Sequence, residues 1–407
     1  MSKAIPIAIF DAIEHLEPAS YKHLPQNYNQ DDIKHALMFL KSYCGSKGTF
    51  NSYRREIERL LHWSTLIINK PLRNLKREDI EAFIKFCQDP PQIWIGTKKA
   101  PRFIVKNAER TANPEWRPFV AAISKAEHRN GKLPTIEKFS LSYGAIKELF
   151  AILSSFYNYL LQEEYVYMNP VALIRQKSKY IRRQQNNNNI RRLSDLQWKY
   201  VLETARNMAA RDPDLHERTL FIMSILYSMY LRISELTATA RWTPTMNNFY
   251  RDNHGNWWFV TIGKGNKQRQ IAVSNTMLDS LKQWRNYLGL SPLPSITDNS
   301  PLIPKIKGKG PVTSTNHIRK IVQKCFDKAI ARLQQDSFQE EADALIAATV
   351  HWLRHTGISD DVKRRPREHV RDDAGHSSSA TTDKYIDIEL TERHQSAKDK
   401  PLASSSG

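Results

Sequence analysis

Two kinds of patterning succeed each other along the chain. From Asn29 apolar residues recur at three- and four-residue steps (Ile33, Leu37, Leu40, Tyr43), which predicts a helix with one buried face. Tyr53, Ile57, Leu60, Leu61 and Ser64 predict a second helix. Ile80, Phe83, Ile84 and Cys87 predict a third, stopped by Pro90-Pro91. Residues 88–138 then break the rhythm and read as an insertion. They mix Trp94, Trp116 and several prolines with Lys98, Lys99, Arg102, Lys106, Arg110 and Arg117. Such a stretch is either a DNA-contacting surface or a solvated loop anchored by its tryptophans. Helical spacing resumes from Ile146 to Leu161, and Asn169-Pro170 closes the region, because the residue before a proline disfavours helix.

The next segment changes character. Arg175, Lys177, Lys179, Arg182 and Arg183 lead into a run of glutamines and asparagines with nothing to bury, so it reads as a basic linker. That charge suits a strap on a phosphate backbone; a solubilising tether is the plainer reading. Ser194-Asp195-Leu196-Gln197 has the form of a capping box. Beyond it, Leu220 to Tyr230 is a nearly continuous apolar helix. Trp257 to Ile262 and Arg269 to Val273 are β-prone around a turn at Gly263–Lys267. Helical patterns return at 277–288, 317–333 and 340–349. The chain therefore divides into an N-terminal extension (1–28), a helical domain (29–173), a linker (174–193), a second domain (194–390) and a polar tail (391–407). The fold class expected is mainly α with a small antiparallel β-sheet.

Composition narrows the partners. Lys and Arg number 61 against 42 Asp and Glu, a net charge of +19, and that excess attracts polyanions, nucleic acid first among them. No apolar run is long enough for a membrane helix, and the N-terminus lacks the form of a secretion signal. Cys44, Cys87 and Cys325 are too few and too scattered for a disulfide framework or a cysteine zinc site. A cytoplasmic, DNA-associated protein without membrane contact is expected.

Four segments of the second domain carry candidate chemistry. They are Tyr230-Leu231-Arg232-Ile233-Ser234-Glu235-Leu236, Gly263-Lys264-Gly265-Asn266-Lys267-Gln268-Arg269, His351-Trp352-Leu353-Arg354-His355, and Gly375-His376 with Tyr385 nine residues on. In these segments, over roughly 195–390, the chain resembles the tyrosine recombinase, or phage integrase, family. That family's hallmarks are an arginine in a G-L-R-x-S-E-L-like segment, a lysine in a G-K-G-x-K hairpin, H-x-x-R-H, L-G-H and a nucleophilic tyrosine. All five occur in family order. The chain departs from the pattern at Met229-Tyr230, where the family often has a small residue and glycine. Ala374 replaces a frequent leucine, and Asp360–Asp373 is unusually charged.

The resemblance implies a two-domain, C-shaped DNA clamp, a helical core-binding domain joined to an α+β catalytic domain. It implies Tyr385 as the nucleophile. Cleaving a phosphodiester without a metal needs cations on the non-bridging oxygens, and Arg232 and Arg354 suit that task because guanidinium forks stay charged. A tyrosine hydroxyl titrates near pH 10 and needs a base, for which His351 is the candidate. His376 would donate a hydrogen bond to the phosphate. Lys264, or Lys267 in the same hairpin, would protonate the leaving 5′ oxygen. Glu235 either supports Arg232 or is a surface carboxylate. His351 and His355 have the spacing of a zinc helix, but Trp352 stands where metalloproteases place glutamate, so no metal or other cofactor is expected. His355 reads as a buttress.

The reaction implied is strand exchange through a 3′-phosphotyrosyl link and a Holliday junction. The partners implied are double-stranded recombination sites, a homotetramer on DNA and possible directionality proteins. A mobile-element integrase is the reading preferred, because the insertion makes the chain longer than a minimal Xer-type resolvase. A type IB topoisomerase, a catalytically silent DNA-binding regulator and a metal-dependent nuclease are the alternatives.

Overall fold

The computed structural model describes residues 5–16, 27–174, 191–263, 265–376, 381–382 and 397–398. The chain divides into two compact units, 1–186 and 187–407.

The first unit starts with α1 (Gln30–Lys41), α2 (Lys47–Leu66) and α3 (Arg77–Gln88). Asn29 caps α1 by accepting the Asp32 N–H at 3.0 Å. Ile33, Leu37, Leu40, Ile57, Leu60, Leu61, Ile80, Phe83, Ile84 and Cys87 are all buried, as their spacing predicts. On α2 the polar side is buried too: Glu56, Glu58, Arg59 and His62 join the interior. The cause is the stretch read as an insertion, which folds over that face. Within it β1 (Ile95–Gly96) pairs in parallel with β4 (Phe119–Val120), and β2 (Phe103–Lys106) forms a hairpin with β3 (Glu109–Ala112). A short α4 (Lys125–Arg129) follows, and α5 (Tyr143–Gln162) completes the unit. Trp94, Trp116 and Phe119 are the anchors. Arg59 reaches the insertion as well, donating from Nε and Nη2 to the Pro118 carbonyl at 2.9 and 2.8 Å.

Residues 5–16, within the stretch read as an extension, also contribute to this core. Ala8, Ile9 and Phe10 are fully buried. Glu58 accepts the N–H groups of Ile9 and Phe10 at 2.5 and 3.3 Å, so docking through a carboxylate replaces the periodicity that was missing.

The second unit opens with α6 (Asp195–Arg211), whose capping box is formed as its sequence predicts. Ser194 Oγ accepts the Gln197 N–H at 3.1 Å, and Gln197 Oε1 accepts the Ser194 N–H at 3.0 Å. α7 (Pro213–Ser228) follows, and then an antiparallel sheet in the order β5 (Phe249–Arg251), β6 (Trp257–Ile262), β7 (Gln268–Ala272). The remaining helices are α8 (Asn275–Tyr287), α9 (Thr315–Gln335), α10 (Gln339–Ile346), α11 (Val350–Asp361) and α12 (Arg367–Ala374). The expected pair of strands is present, and β5 adds a third, too short to show an alternation.

Two local features position the site. α11 crosses α7 so closely that a Cβ on Gly357 would lie 2.1 Å from the Tyr227 carbonyl oxygen, so only glycine fits there. α7 also ends earlier than its apolar run predicts. It stops at Ser228, and Tyr230 takes a left-handed conformation with φ of 49°. An L-residue adopts that region at a cost of roughly 1–2 kcal/mol, which glycine avoids. The turn aims the Tyr230 carbonyl at a buried arginine.

Candidate active site

Glu235 lies at the centre of one half of the site. It is 1% exposed and serves two arginines from different elements. Arg269, on β7, grips it with both prongs, Nη1 to Oε1 at 2.7 Å and Nη2 to Oε2 at 2.8 Å. Arg232 donates its backbone N–H to Oε2 at 2.7 Å and its Nη1 to Oε1 at 3.1 Å. Burial opposes ionisation of Glu235, but the bonds and charge of Arg269, with those of Arg232, override it and hold the carboxyl below its ordinary range. Arg232 keeps part of its side chain open to solvent at 29%, whereas Arg269 is covered at 8%. Arg232 is thus braced from behind with its front available.

Arg354 forms the other half and is 2% exposed. Its Nη1 donates to the Tyr230 carbonyl, and its Nη2 to the Ala374 carbonyl at 2.6 Å. The same Nη2 lies 3.4 Å from His376 Nε2, and Thr382 Oγ1 lies 2.9 Å from His376 Nδ1. A guanidinium only donates, so Nε2 accepts here and the ring proton sits on Nδ1. Gly375 turns the chain out of α12 with φ of 65°, the usual glycine stop, and presents His376.

The charged stretch Asp360–Asp373 acquires a function from this geometry. The Tyr230 hydroxyl donates to Asp361 and accepts from Arg365 Nη1 at 3.1 Å; Arg365 Nη2 reaches Asp373 at 2.6 Å. The Asp373 carbonyl accepts Arg269 Nε at 2.9 Å. Both halves are therefore joined through α12. Neither Arg269 nor this network was singled out from the sequence. The signal available for Arg269 was its place in the lysine hairpin, on the strand leading back from the turn.

His351 and His355 stack edge to face at 4.3 Å between ring centres. Burial, followed by the charges of Arg354 and Arg232, lowers the His351 pKa and favours its neutral form. His355 and His376 are each pushed down to about 4, by burial first and neighbouring positive charge after it. For His376 those charges are Arg354, Arg232 and Arg269, so the field of all three converges there. Lys267 is exposed, and its carbonyl closes the hairpin by accepting the Gly263 N–H at 2.8 Å. Lys264, Tyr385 and the linker cations Arg175, Lys177, Lys179, Arg182 and Arg183 lie outside the described residues. Among the described residues no helix is long and apolar enough to cross a membrane.

Residues 191–392 match the phage integrase family. Over that span, just under half of its length, the chain carries a phage integrase, or tyrosine recombinase, domain. Its activity is accordingly DNA breaking and rejoining. The structure of the XerH site-specific recombinase bound to palindromic difH substrate, a post-cleavage complex, is similar at a TM-score of 0.56 and 15% identity, over 98% of this chain and 99% of that one. A variant Tn1549 transposon integrase fragment in complex with transposon right end DNA gives a TM-score of 0.51 at 14% identity, over 90% of this chain and 98% of that one. At such identities the likeness establishes the fold. No curated protein matches by sequence.

Proposed function

We propose that this protein is a site-specific DNA recombinase of a mobile element, acting through a covalent bond to Tyr385. The observation that carries the reading is the convergence of braced cations on one place. Arg232 is held by Glu235, and buried Arg354 touches His376. Arg232 and Arg354 bind the non-bridging oxygens of the scissile phosphate, whose developing charge they neutralise. The Tyr385 oxygen attacks phosphorus, and its proton passes to His351, kept neutral by burial and by the two arginines. The bond to the 5′ oxygen breaks, and Lys264 or Lys267 supplies the proton that the leaving group needs. A 5′ hydroxyl from a second duplex then reverses the step, with the phosphodiester energy conserved in the phosphotyrosyl link. Once protonated on Nε2, His376 donates to a phosphate oxygen in place of its Arg354 contact, and His355 supports His351 by ring packing.

The two units would close on DNA as a clamp, and four protomers would act on two duplexes. The test is to give candidate attachment sites to the wild-type protein and to Tyr385→Phe and sequence the junctions. Junctions from the wild type alone are expected, and equal yields from both proteins would sink the reading.

A further inference from the structure

The insertion makes a second cationic site, remote in sequence from the catalytic residues. A cleft of about 880 Å³ opens between it and α2. Arg54, Arg55 and Arg59 line it from α2, and Lys99, Arg102, Arg110 and Arg117 from the insertion. Three carboxylates face them, Asp11, Glu56 and Glu148. Counting Glu58 as well, which pairs with Arg102, leaves a surplus of three positive charges.

The surplus can be assigned to particular side chains. Glu56 serves Arg55 and Arg59, Glu148 also contacts Arg55, and Asp11 holds Arg110 through both oxygens. Among the described residues Arg54 donates only to the Asp11 carbonyl and to Asn51 Oδ1, and its buried Nε has no hydrogen-bond partner there. Arg117 donates to the Pro114 and Trp116 carbonyls. Lys99 has no ion-pair partner among the described residues. Burial, and then the charge of Arg102, pushes Arg54 down to about 10.

We propose that this cleft binds the phosphodiester backbone of duplex DNA, which makes the insertion a DNA-contacting surface rather than a solvated loop. The proposal rests on the DNA-acting reading above. The three unmatched cations stand on both walls, Arg54 on α2 and Lys99 and Arg117 on the insertion, so they suit a run of phosphates better than one gripped ion. Arg54 would supply positive charge beneath the backbone, with Lys99 and Arg117 flanking it.

The experiment compares two double variants of the full chain. Lys99→Gln/Arg117→Gln removes cleft charge without stranding any carboxylate. Lys34→Gln/Lys41→Gln removes equal charge from the exposed side of α1. Duplex DNA affinity is measured across a salt series. The cleft variant is expected to lose affinity on the order of tenfold near 0.1 M salt and to show a salt slope shallower by about 2, one for each phosphate its side chains no longer neutralise. The α1 variant should keep the wild-type slope. Equal slopes for the two variants would overturn the proposal. So would a wild-type melting temperature raised by inorganic phosphate at fixed ionic strength, with that rise abolished in the cleft variant and the DNA slope unchanged, since the cleft would then be a small-anion site. The α1 variant should form covalent product on nicked DNA as the wild type does. Absence of that product in the wild type would count against the catalytic reading instead.

Discussion

At the residue scale the site depends on one carboxylate. Glu235 is buried and ionised only because two guanidiniums meet it, so removing the better one strands a charge. Breaking a buried pair from one side typically costs about 3–5 kcal/mol. Arg269→Gln is therefore expected to lower the stability of the second unit by roughly 3 kcal/mol, measured by chemical denaturation, and to slow covalent-complex formation, because Glu235, the brace of Arg232, loses its own anchor. Arg269→Lys keeps the charge but not the fork and should fall in between. Stability within experimental error of wild type in Arg269→Gln would contradict the bracing. A second residue-scale expectation follows from His376. In the free protein it is pushed down from 6.5 to about 4 by burial and then by Arg354, Arg232 and Arg269. A phosphate between those cations would offset their charge and raise the His376 pKa. Between about pH 4 and 6.5 the bound form then holds a proton that the free form lacks, so DNA binding takes up protons and tightens as pH falls through that window. Calorimetry in buffers of different ionisation enthalpy reads the uptake. It should fall in His376→Gln, with a remainder from His351, which burial and two of the same arginines depress, and equal uptake in both proteins would refute the assignment.

At the element scale, what could be read beforehand depended on how each element is held. Helices with one apolar stripe were legible: Ile33, Leu37 and Leu40 on α1 and Ile80, Phe83 and Ile84 on α3 are buried where their spacing puts them. α2 was legible on one face only, because its Glu56, Glu58, Arg59 and His62 are covered by a segment with no period of its own. The candidate arginines and histidines could be singled out by motif order. Their supports were not, since Arg269, Asp361, Arg365 and Asp373 are tied by bonds across elements, which leave no local pattern. Tyr230 shows this best. Its side chain reads as the end of an apolar helix, yet its backbone turns left-handed and its hydroxyl anchors to Asp361 on α11 and Arg365. A tyrosine where the family often has glycine thus spends a strained turn on a new strut from α7's end to α11 and α12. Tyr230→Phe keeps the turn and removes the strut. A drop of about 1–3 kcal/mol in stability is expected, because Asp361 and Arg365 lose a buried partner, together with slower cleavage at unchanged DNA affinity. Gly357→Ala should be worse, since the methyl group meets the Tyr227 backbone carbonyl. Unaltered melting in Gly357→Ala would contradict the close crossing of α7 and α11.

At the scale of the whole molecule, two cores divide the work. One cluster of buried apolar residues runs from Ile9 to Ile174, and a separate one runs from Leu193 to Leu353. Arg232, Glu235, Arg269, His351, Arg354 and His376 all belong to the second unit, and the cation-lined cleft belongs to the first. Chemistry and part of the DNA grip are therefore separable in principle. A fragment of residues 187–407 carries a closed core from α6 to α11, so it should unfold cooperatively by itself. It should also retain the braced Arg232 and Arg354, and so form covalent product on nicked DNA at high protein concentration. Without the first unit's cations its affinity should fall and its salt slope should flatten, by about one unit for each phosphate left unneutralised. A non-cooperative melt would show that the second core needs the first. A fragment that melts cooperatively and binds DNA with the full chain's salt slope would instead show that the first unit neutralises no phosphates, and would remove the physical basis for a clamp.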